Sequence, residues 1–165
     1  MESRTPPAAA DAGCGRGDDD LLPIRRLEIS DNSKGFVELL AQLSHCPPLS
    51  DADFRARFAD IAALGDDHVI CVVEDLRAGR IVAIGSVFIE RKFLRGCGMV
   101  GHIEDVVVDA AIRGRRLGQR VVRYLVEHAR AAGCYKVILD CDPDRRAFYE
   151  KCGFSEKSVQ MALYF

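Results

Sequence analysis

The chain has 165 residues, of which 48% are hydrophobic, and this length and composition are typical of one globular domain. Its 23 basic and 25 acidic residues give a formal net charge of -2, which argues against nucleic acid or an anionic membrane as a partner. No apolar run reaches the roughly 20 residues that a transmembrane helix needs.

The cysteines and the N-terminal sequence indicate the compartment. The seven cysteines are odd in number and include no C-x-x-C pair, which is unlike a disulfide framework or a zinc knuckle. The N-terminus lacks the pattern of a secretory signal. We therefore expect a cytoplasmic protein without a metal centre. Peripheral attachment to an organelle surface, such as the endoplasmic reticulum, stays open.

The first elements are predicted from apolar spacing. Residues 1–22 have almost no large apolar side chains before Leu21, so we predict a disordered tail there and one domain over residues 23–165. Ile24, Leu27 and Ile29 suggest a first strand. Helical spacing over residues 36–43 predicts a helix that carries Ser44 and stops before two prolines. Ser50 or Asp51 would cap a second helix, which ends at Gly65.

The middle of the chain reads as antiparallel strands. Residues 68–74 and 80–90 are β-rich and are separated by a turn-rich segment, residues 75–79, which predicts a hairpin. Residues 99–108 follow the loop at residues 96–98 as a further strand. Three neighbouring antiparallel strands are expected.

The last third alternates helix and strand. An apolar stripe predicts an amphipathic helix from Leu117 to about Gly133. Residues 135–141 then predict a strand, and Asp142-Pro143 starts a short helix through Tyr149 to Gly153. Residues 159–164 predict a closing strand, so the fold class is α/β around a mixed sheet.

The sequence Arg113-Gly114-Arg115-Arg116-Leu117-Gly118 joins the strand at residues 99–108 to the amphipathic helix. A strand that runs into R-G-x-x-x-G and a helix directs unpaired backbone N–H groups and the positive end of the helix dipole at one point. Glycines allow close approach, and the arginines add positive charge. This pattern predicts a pyrophosphate site.

The same segment resembles the acetyl-CoA motif of the GNAT superfamily of N-acetyltransferases. Together with GHIEDVVVD at residues 101–109, CYKVILDC at 134–141 and FYEKCGF at 148–154, it is similar to the eukaryotic glucosamine-6-phosphate N-acetyltransferases over residues 23–165. The resemblance implies the GNAT fold, a mixed, mostly antiparallel sheet with a splayed strand pair and flanking helices. It also implies direct acetyl transfer from acetyl-CoA to the 2-amine of glucosamine 6-phosphate, on the route to UDP-N-acetylglucosamine.

The resemblance assigns catalytic and substrate-binding residues. Tyr149 matches the tyrosine that serves the departing sulfur, Asp140 a residue near the amine, and Glu104 and Asp105 residues that bind the sugar. Because Glu104 and Asp105 are consecutive on a strand, we expect their side chains on opposite faces. The remaining implied substrate contacts are Ser44, Lys92, Phe93, Leu94 and Arg95, among which the cations suit a phosphate.

Cofactor contacts are implied by the same comparison. The backbone of Val106, Val107 and Val108 would pair with the pantetheine arm as a strand pairs with an extended peptide. The other implied contacts with acetyl-CoA are Arg113, Gly114, Arg115, Arg116, Leu117, Gly118, Tyr135, Lys136 and Tyr149. No metal is implied, and the family is a homodimer whose sites include residues of both subunits, with residues 159–164 as the contact expected here.

This chain departs from the family pattern at three positions. Arg116 stands where the motif has glycine, so its side chain must point outward if a pyrophosphate is to reach the backbone. Arg145 replaces a frequent asparagine, and Tyr164 stands where some relatives use an arginine for the substrate phosphate. The phosphate site is therefore expected to depend more on Lys92 and Arg95.

Other functions stay open at this point. An N-acetyltransferase for a protein lysine, a polyamine or an arylamine would keep the fold and cofactor, and a regulatory CoA-binding protein would keep the site without turnover. An acyl-enzyme on Cys141 or Cys152 is a further alternative, although no histidine base is near either one in the chain. The G-x-G-x-x-G at residues 96–101 precedes a strand and so does not fit dinucleotide binding.

Overall fold

Five strands form one open sheet in the order β1-β2-β3-β4-β5 in the computed structural model, which describes residues 21–165. The strands are β1 (Ile24–Arg26), β2 (His68–Asp75), β3 (Arg80–Arg91), β4 (Met99–Val108) and β5 (Lys136–Ile138). Strands β1 to β4 pair antiparallel, and β5 pairs parallel with β4. The predicted mixed, mostly antiparallel sheet is confirmed.

Helices flank this sheet on both faces. We label the helices α1 (Phe36–Leu40), α2 (Asp51–Ala62), α3 (Leu117–Ala131) and α4 (Arg146–Lys151). Short 3₁₀ helices span Ile29–Lys34, Gly65–Asp67, Ala110–Ile112 and Pro143–Arg145, and a distorted helical turn spans Leu94–Cys97. None of the helices within residues 21–165 is long and apolar enough to cross a membrane.

The central hairpin and the caps follow from local chemistry. In the turn between β2 and β3, Asp75 Oδ1 accepts the N–H groups of Arg77 (2.9 Å) and Ala78 (3.2 Å), and Gly79 has a left-handed φ of 62°. Ser50 caps α2 by accepting the N–H of Asp53 at 3.1 Å. The predicted hairpin and the serine cap are confirmed.

Two apolar clusters hold the helices to the sheet. The stripe of α3, including Val121, Val122 and Leu125, packs against one face with Val87 and Ile103 of β3 and β4. On the other face, α1 and α2 pack on the sheet through a second cluster, which contains Phe36, Val37, Leu39, Phe54, Val72, Ile81, Ile84 and Val107. The amphipathic helix predicted after the arginine-rich loop is therefore the central packing element.

A bulge in β4 sets the geometry of the sheet beside the site. Ile84 pairs with Val107 and Ser86 with Glu104, so Asp105 and its successor lie opposite a single residue, Gly85. Asp105 has a left-handed φ of 54°. Bulges bend a strand and increase its twist. The β4–β5 ladder covers only residues 100–102 of β4, so the pair is splayed beyond it, as expected.

Several predicted boundaries were wrong. Ile29 lies in a 3₁₀ helix, and α1 ends at Leu40, so Ser44 follows the helix in a turn. Strand β5 has only three residues, and residues 159–164 form no strand. Of the predicted tail, residues 1–20 lie outside the described part, and Leu22 is buried in the core.

Candidate active site

The predicted phosphate-binding segment, residues 113–118, forms the loop that leads into α3. Gly114 (φ 87°) and Arg116 (φ 60°) both have left-handed backbone conformations, and α3 starts at Leu117. The first N–H groups of a helix have no intrahelical partner and lie at the positive end of its dipole. The loop therefore offers backbone donors and positive potential to an anion such as a pyrophosphate.

The loop side chains leave the backbone accessible. Arg113 Nε donates to the carbonyl oxygen of Val108 at 3.2 Å, and the side chains of Arg115 and Arg116 are exposed. A Cβ at Gly114 would have no other atom within 4 Å. The left-handed φ of Arg116 gives a physical reason for the glycine of the superfamily motif, because glycine adopts this conformation without steric cost. The residues present fit a pyrophosphate group.

Gly118 has a packing role besides the cofactor contact that is expected of it. A Cβ at Gly118 would lie 3.0 and 3.3 Å from ring atoms of Phe148, which is tighter than ordinary van der Waals contact. Gly118 is buried on α3, and Phe148 is on α4, beside Tyr149. The packing of α4 on α3 therefore gives a physical reason for a glycine at this position.

Strand β4 presents a backbone edge where β5 diverges. Pairing with β5 ends at His102 and Ile138. Beyond it, the side chain of Val107 is buried in one core, and those of Val106 and Val108 pack against the other. These valines therefore have only backbone groups to offer at that edge, which suits an extended ligand that contains amides, such as pantetheine.

Three carboxylates near the bulge interact electrostatically. Burial raises the pKa of Glu104, and the negative charges of Asp105 and Asp140 raise it further. The side-chain alternation from which we expected opposite faces is interrupted at Asp105 by the bulge. Asp140 Oδ2 also accepts a hydrogen bond from Gln160 Nε2 at 3.0 Å. The structure thus brings the predicted acidic residues together and adds Gln160, which no sequence motif had indicated.

Tyr149 projects from α4 next to these carboxylates. Its ring contacts Phe148 and Phe154 in edge-to-face geometry, with centroids 4.9 and 6.2 Å apart. Burial raises its pKa, and the nearby thiols of Cys141 and Cys152 and the carboxylate of Glu104 also contribute. The hydroxyl is therefore protonated at neutral pH and able to donate a hydrogen bond.

The two arginines of the basic segment, residues 91–95, have different partners. Arg91 forms an ion pair with Asp67 at 2.7 Å. Arg95 lies over the ring of Tyr135, with its guanidinium carbon 4.9 Å from the centroid, and Lys136 Nζ lies 5.8 Å from the same centroid. Tyr135 therefore contacts the predicted substrate segment through Arg95.

The turn that follows Lys92 is strained and exposed. Arg95 and Cys97 have left-handed φ values of 56° and 62°, although neither is glycine. Phe93 is 96% exposed, and Leu94 is also exposed. These two predicted substrate residues carry apolar side chains that have little contact with the chain itself.

Lys92 belongs to a network that the sequence did not indicate. The Glu90 carboxylate accepts from Lys92 Nζ and is 2.8 Å from His102 Nε2. The hydrogen bonds from Lys92 and then from His102 lower the pKa of Glu90. His102 stacks on Phe88 with centroids 4.5 Å apart. Since these residues belong to two antiparallel strands and a loop, only the pairing of β3 with β4 brings them together.

Ser44 is exposed in the turn after α1, where its N–H donates to the carbonyl oxygen of Leu40 at 3.2 Å. The same turn is tied to the phosphate loop. Gln42 Oε1 accepts the N–H of Ala110 at 3.0 Å, and Ala110 lies just before the loop. The structure thus places the Ser44 turn beside the cofactor segment through Gln42.

The two cysteines near the site are protonated thiols at neutral pH. Burial raises the pKa of both Cys141 and Cys152, and carboxylates such as Asp142 raise that of Cys141 further. A thiolate, and not a thiol, is the nucleophile in acyl transfer. Among residues 21–165, no three His, Cys, Asp or Glu side chains are grouped as metal ligands.

The chain is similar in sequence to known proteins over most of its length. Residues 35–154 match the family model described as the acetyltransferase (GNAT) family. The chain is 60% identical over 165 residues to glucosamine 6-phosphate N-acetyltransferase 1 of Oryza sativa subsp. japonica, covering 100% of both chains. It is 58% identical over 146 residues to the glucosamine 6-phosphate N-acetyltransferase of Arabidopsis thaliana, covering 88% of this chain and 98% of the relative.

Solved structures agree with this relationship. The crystal structure of glucosamine-6-phosphate N-acetyltransferase from Arabidopsis thaliana has a TM-score of 0.86 at 57% identity, covering 87% of this chain and 98% of the other. An acetyltransferase of Trypanosoma brucei has a TM-score of 0.80 at 44% identity, covering 87% and 99%. The splayed mixed sheet is therefore the GNAT fold, and the chain belongs to the GNAT acetyltransferase family.

Proposed function

We propose that this protein transfers the acetyl group of acetyl-CoA to the 2-amine of glucosamine 6-phosphate. The products are CoA and N-acetylglucosamine 6-phosphate, and the latter is used for UDP-N-acetylglucosamine synthesis. The observation that carries the proposal is that Glu104 lies within electrostatic range of Asp105, Asp140 and Tyr149, near the point where β4 and β5 separate. The proposal is supported by relatives of 58 to 60% identity that are named glucosamine 6-phosphate N-acetyltransferase.

Acetyl-CoA supplies the activated acetyl group when it is bound. The phosphate loop, residues 113–118, holds its pyrophosphate through backbone N–H groups and the start of α3. The backbone edge of β4 at residues 106–108 pairs with the pantetheine arm. Tyr135 and Lys136 lie at the paired end of β5, where Lys136 is opposite Val100 of β4.

The carboxylates bind and deprotonate the sugar amine. An ammonium has no lone pair, so the amine must lose a proton before it attacks. Ionised carboxylates accept hydrogen bonds only, which suits an ammonium and sugar hydroxyls. The raised pKa of Glu104 makes its carboxylate a stronger base than an ordinary glutamate, and Asp140 orients the amine.

Tyr149 serves the leaving group. Its hydroxyl is protonated because burial raises its pKa, and it donates a hydrogen bond to the departing sulfur. The thiols of Cys141 and Cys152 have raised pKa values, which supports direct transfer without an acyl-enzyme.

The basic segment selects the phosphorylated sugar. Lys92 and Arg95 supply the positive charge that a phosphate needs. The same charges repel a cationic peptide or polyamine, so they favour the sugar phosphate over those acceptors. Phe93 and Leu94 form the apolar tip of this segment.

Release of the CoA thiol from acetyl-CoA tests this function. Glucosamine 6-phosphate, glucosamine and a lysine-rich peptide are offered in parallel to the full chain. We expect strong preference for the phosphorylated sugar. Turnover of the peptide alone would show that the substrate is wrong, and no release with any acceptor would favour the regulatory CoA-binding alternative.

We also propose that the active form is a homodimer whose sites share residues. Val159, Met161, Leu163 and Tyr164 are all largely exposed, with Met161 at 88%, and apolar side chains in such a row are typical of a surface that a partner covers. Gln160, in the same segment, reaches Asp140. Light scattering should give twice the chain mass of 18.2 kDa at micromolar concentration, and a monomer mass would contradict the proposal.

A further inference from the structure

Asp109 is a buried carboxylate that the proposed mechanism does not use. It follows β4 directly and is only 5% exposed. Its Oδ1 accepts the N–H of Ala111 at 2.9 Å, and its Oδ2 forms an ion pair with Arg80 at 2.9 Å. Its own N–H donates to the carbonyl oxygen of Val82 at 2.9 Å. A buried charge is costly unless it is fully paired, so a specific role is expected.

These contacts hold the turn that leads into the phosphate loop. Three successive N–H groups, those of residues 110–112, donate to Gln42 Oε1, to Asp109 Oδ1 and to the Asp109 carbonyl oxygen. The turn is therefore tied down before the chain reaches Arg113, where the predicted pyrophosphate site begins. A turn that is ordered before the ligand arrives reduces the entropy that is lost on binding.

The negative charge of Asp109 must be neutralised by Arg80 if Asp109 is to order this turn without repelling a pyrophosphate. A lone carboxylate beside a pyrophosphate site would repel the ligand, whereas the ion pair with Arg80 neutralises it. Arg80 starts β3, next to the place where β4 ends, because Ala83 pairs with Val108. The pair thus connects the central sheet to the cofactor loop.

We propose that Asp109, held by Arg80, is a positioning residue for the pyrophosphate of acetyl-CoA. It contacts neither reacting group and acts through the turn at Ala110–Ile112, which aims the backbone N–H groups of the phosphate loop. This inference rests on the proposed use of acetyl-CoA by the loop.

Binding of CoA by calorimetry and steady-state kinetics test the proposal. We expect Asp109→Ala to raise the Kd for CoA and the KM for acetyl-CoA by about tenfold, with kcat and the KM for glucosamine 6-phosphate within about twofold. Asp109→Asn keeps an acceptor for the Ala111 N–H and should recover part of the affinity. With S-acetyl-pantetheine, which lacks the pyrophosphate, every variant should match the original protein.

A second buried carboxylate provides the matched control. Asp31 is 0% exposed and ion-paired with Arg25, but it packs beside β1 and β2, away from the loop. Asp31→Asn should lose stability and keep its affinity for CoA. If Asp109→Ala does not fold, Arg80→Gln tests the same pair from its exposed partner.

The outcomes separate the two proposals. If the original protein binds no CoA, the proposed function fails. If it binds CoA and all Asp109 and Arg80 variants bind equally well, the carboxylate serves only the fold and the positioning role is wrong. An equal loss with S-acetyl-pantetheine would also overturn it.

Discussion

At the scale of single residues, the environment of Tyr149 keeps its hydroxyl protonated within electrostatic range of Glu104. Burial raises the pKa of its hydroxyl, and its ring is fixed by edge contacts with Phe148 and Phe154. A phenol that stays neutral can stabilise a leaving thiolate, whereas a phenolate would repel it. The functional group can therefore be removed while the ring contacts stay.

Tyr149→Phe should lower kcat by about a hundredfold, the usual contribution of a positioned acid, with little change in either KM. Initial rates of thiol release measure this effect. Tyr124→Phe, which alters a half-buried tyrosine on α3, should leave the rate unchanged. Full activity in Tyr149→Phe would remove the residue from the mechanism.

At the scale of elements, the contact of α3 with α4 determines where Tyr149 lies. Phe148 occupies the space that a side chain at Gly118 would fill, and Phe148 directly precedes Tyr149 on α4. The glycine of the phosphate-loop motif is therefore a packing residue, and it connects the position of the leaving-group donor to the start of the cofactor helix.

Gly118→Ala should displace Phe148 and Tyr149, lower kcat, and cost about 1 to 3 kcal/mol of stability through overpacking. Steady-state kinetics measure the change in kcat, and urea unfolding measures the loss of stability. Adding Phe148→Leu should restore part of both, because it creates room for the new methyl group. A raised KM for acetyl-CoA without rescue by Phe148→Leu would instead indicate a clash with the phosphate.

At the scale of the whole molecule, a charged cluster fastens the first segments to the sheet edge. Asp31 accepts two hydrogen bonds from Arg25, each of 2.7 Å, and Glu74 accepts from Arg25 (2.6 Å) and Lys34 (2.8 Å). Burial raises the pKa of Asp31, but the bonds from Arg25 and the Glu28 N–H outweigh it, so the pKa is lowered. Hydrogen bonds from Lys34 and Arg25 lower the pKa of Glu74.

Because both carboxyl pKa values are lowered on folding, their stabilisation is present above the unfolded value of about 4 and is lost as the pH falls below it. In urea unfolding, the contribution of these carboxylates, taken as the difference between the original protein and Asp31→Asn, should be constant from pH 7 to about 5 and decline below about pH 4. Asp31→Asn should cost about 3 to 5 kcal/mol at pH 7. An unchanged acid dependence would show that the cluster does not control it.

The sequence by itself determined the central hairpin, the stripe of α3 and the phosphate loop between them. Each depends on contacts between near neighbours: Asp75 with its own turn, the helical spacing of Val121, Val122 and Leu125, and the glycine at residue 114. Family resemblance added Tyr149 and the carboxylates, whose proximity no spacing along the chain implies.

Only the tertiary structure decided the rest. The bulge at Asp105 lies opposite Gly85, where α3 packs so closely that a Cβ would lie 2.5 Å from Val121. The network of Glu90 with Lys92 and His102 exists only once β3 and β4 have paired. Residues 159–164 have strand-like composition and yet form no strand, although β5 is an edge strand, since tertiary contacts and not composition decide which segments pair.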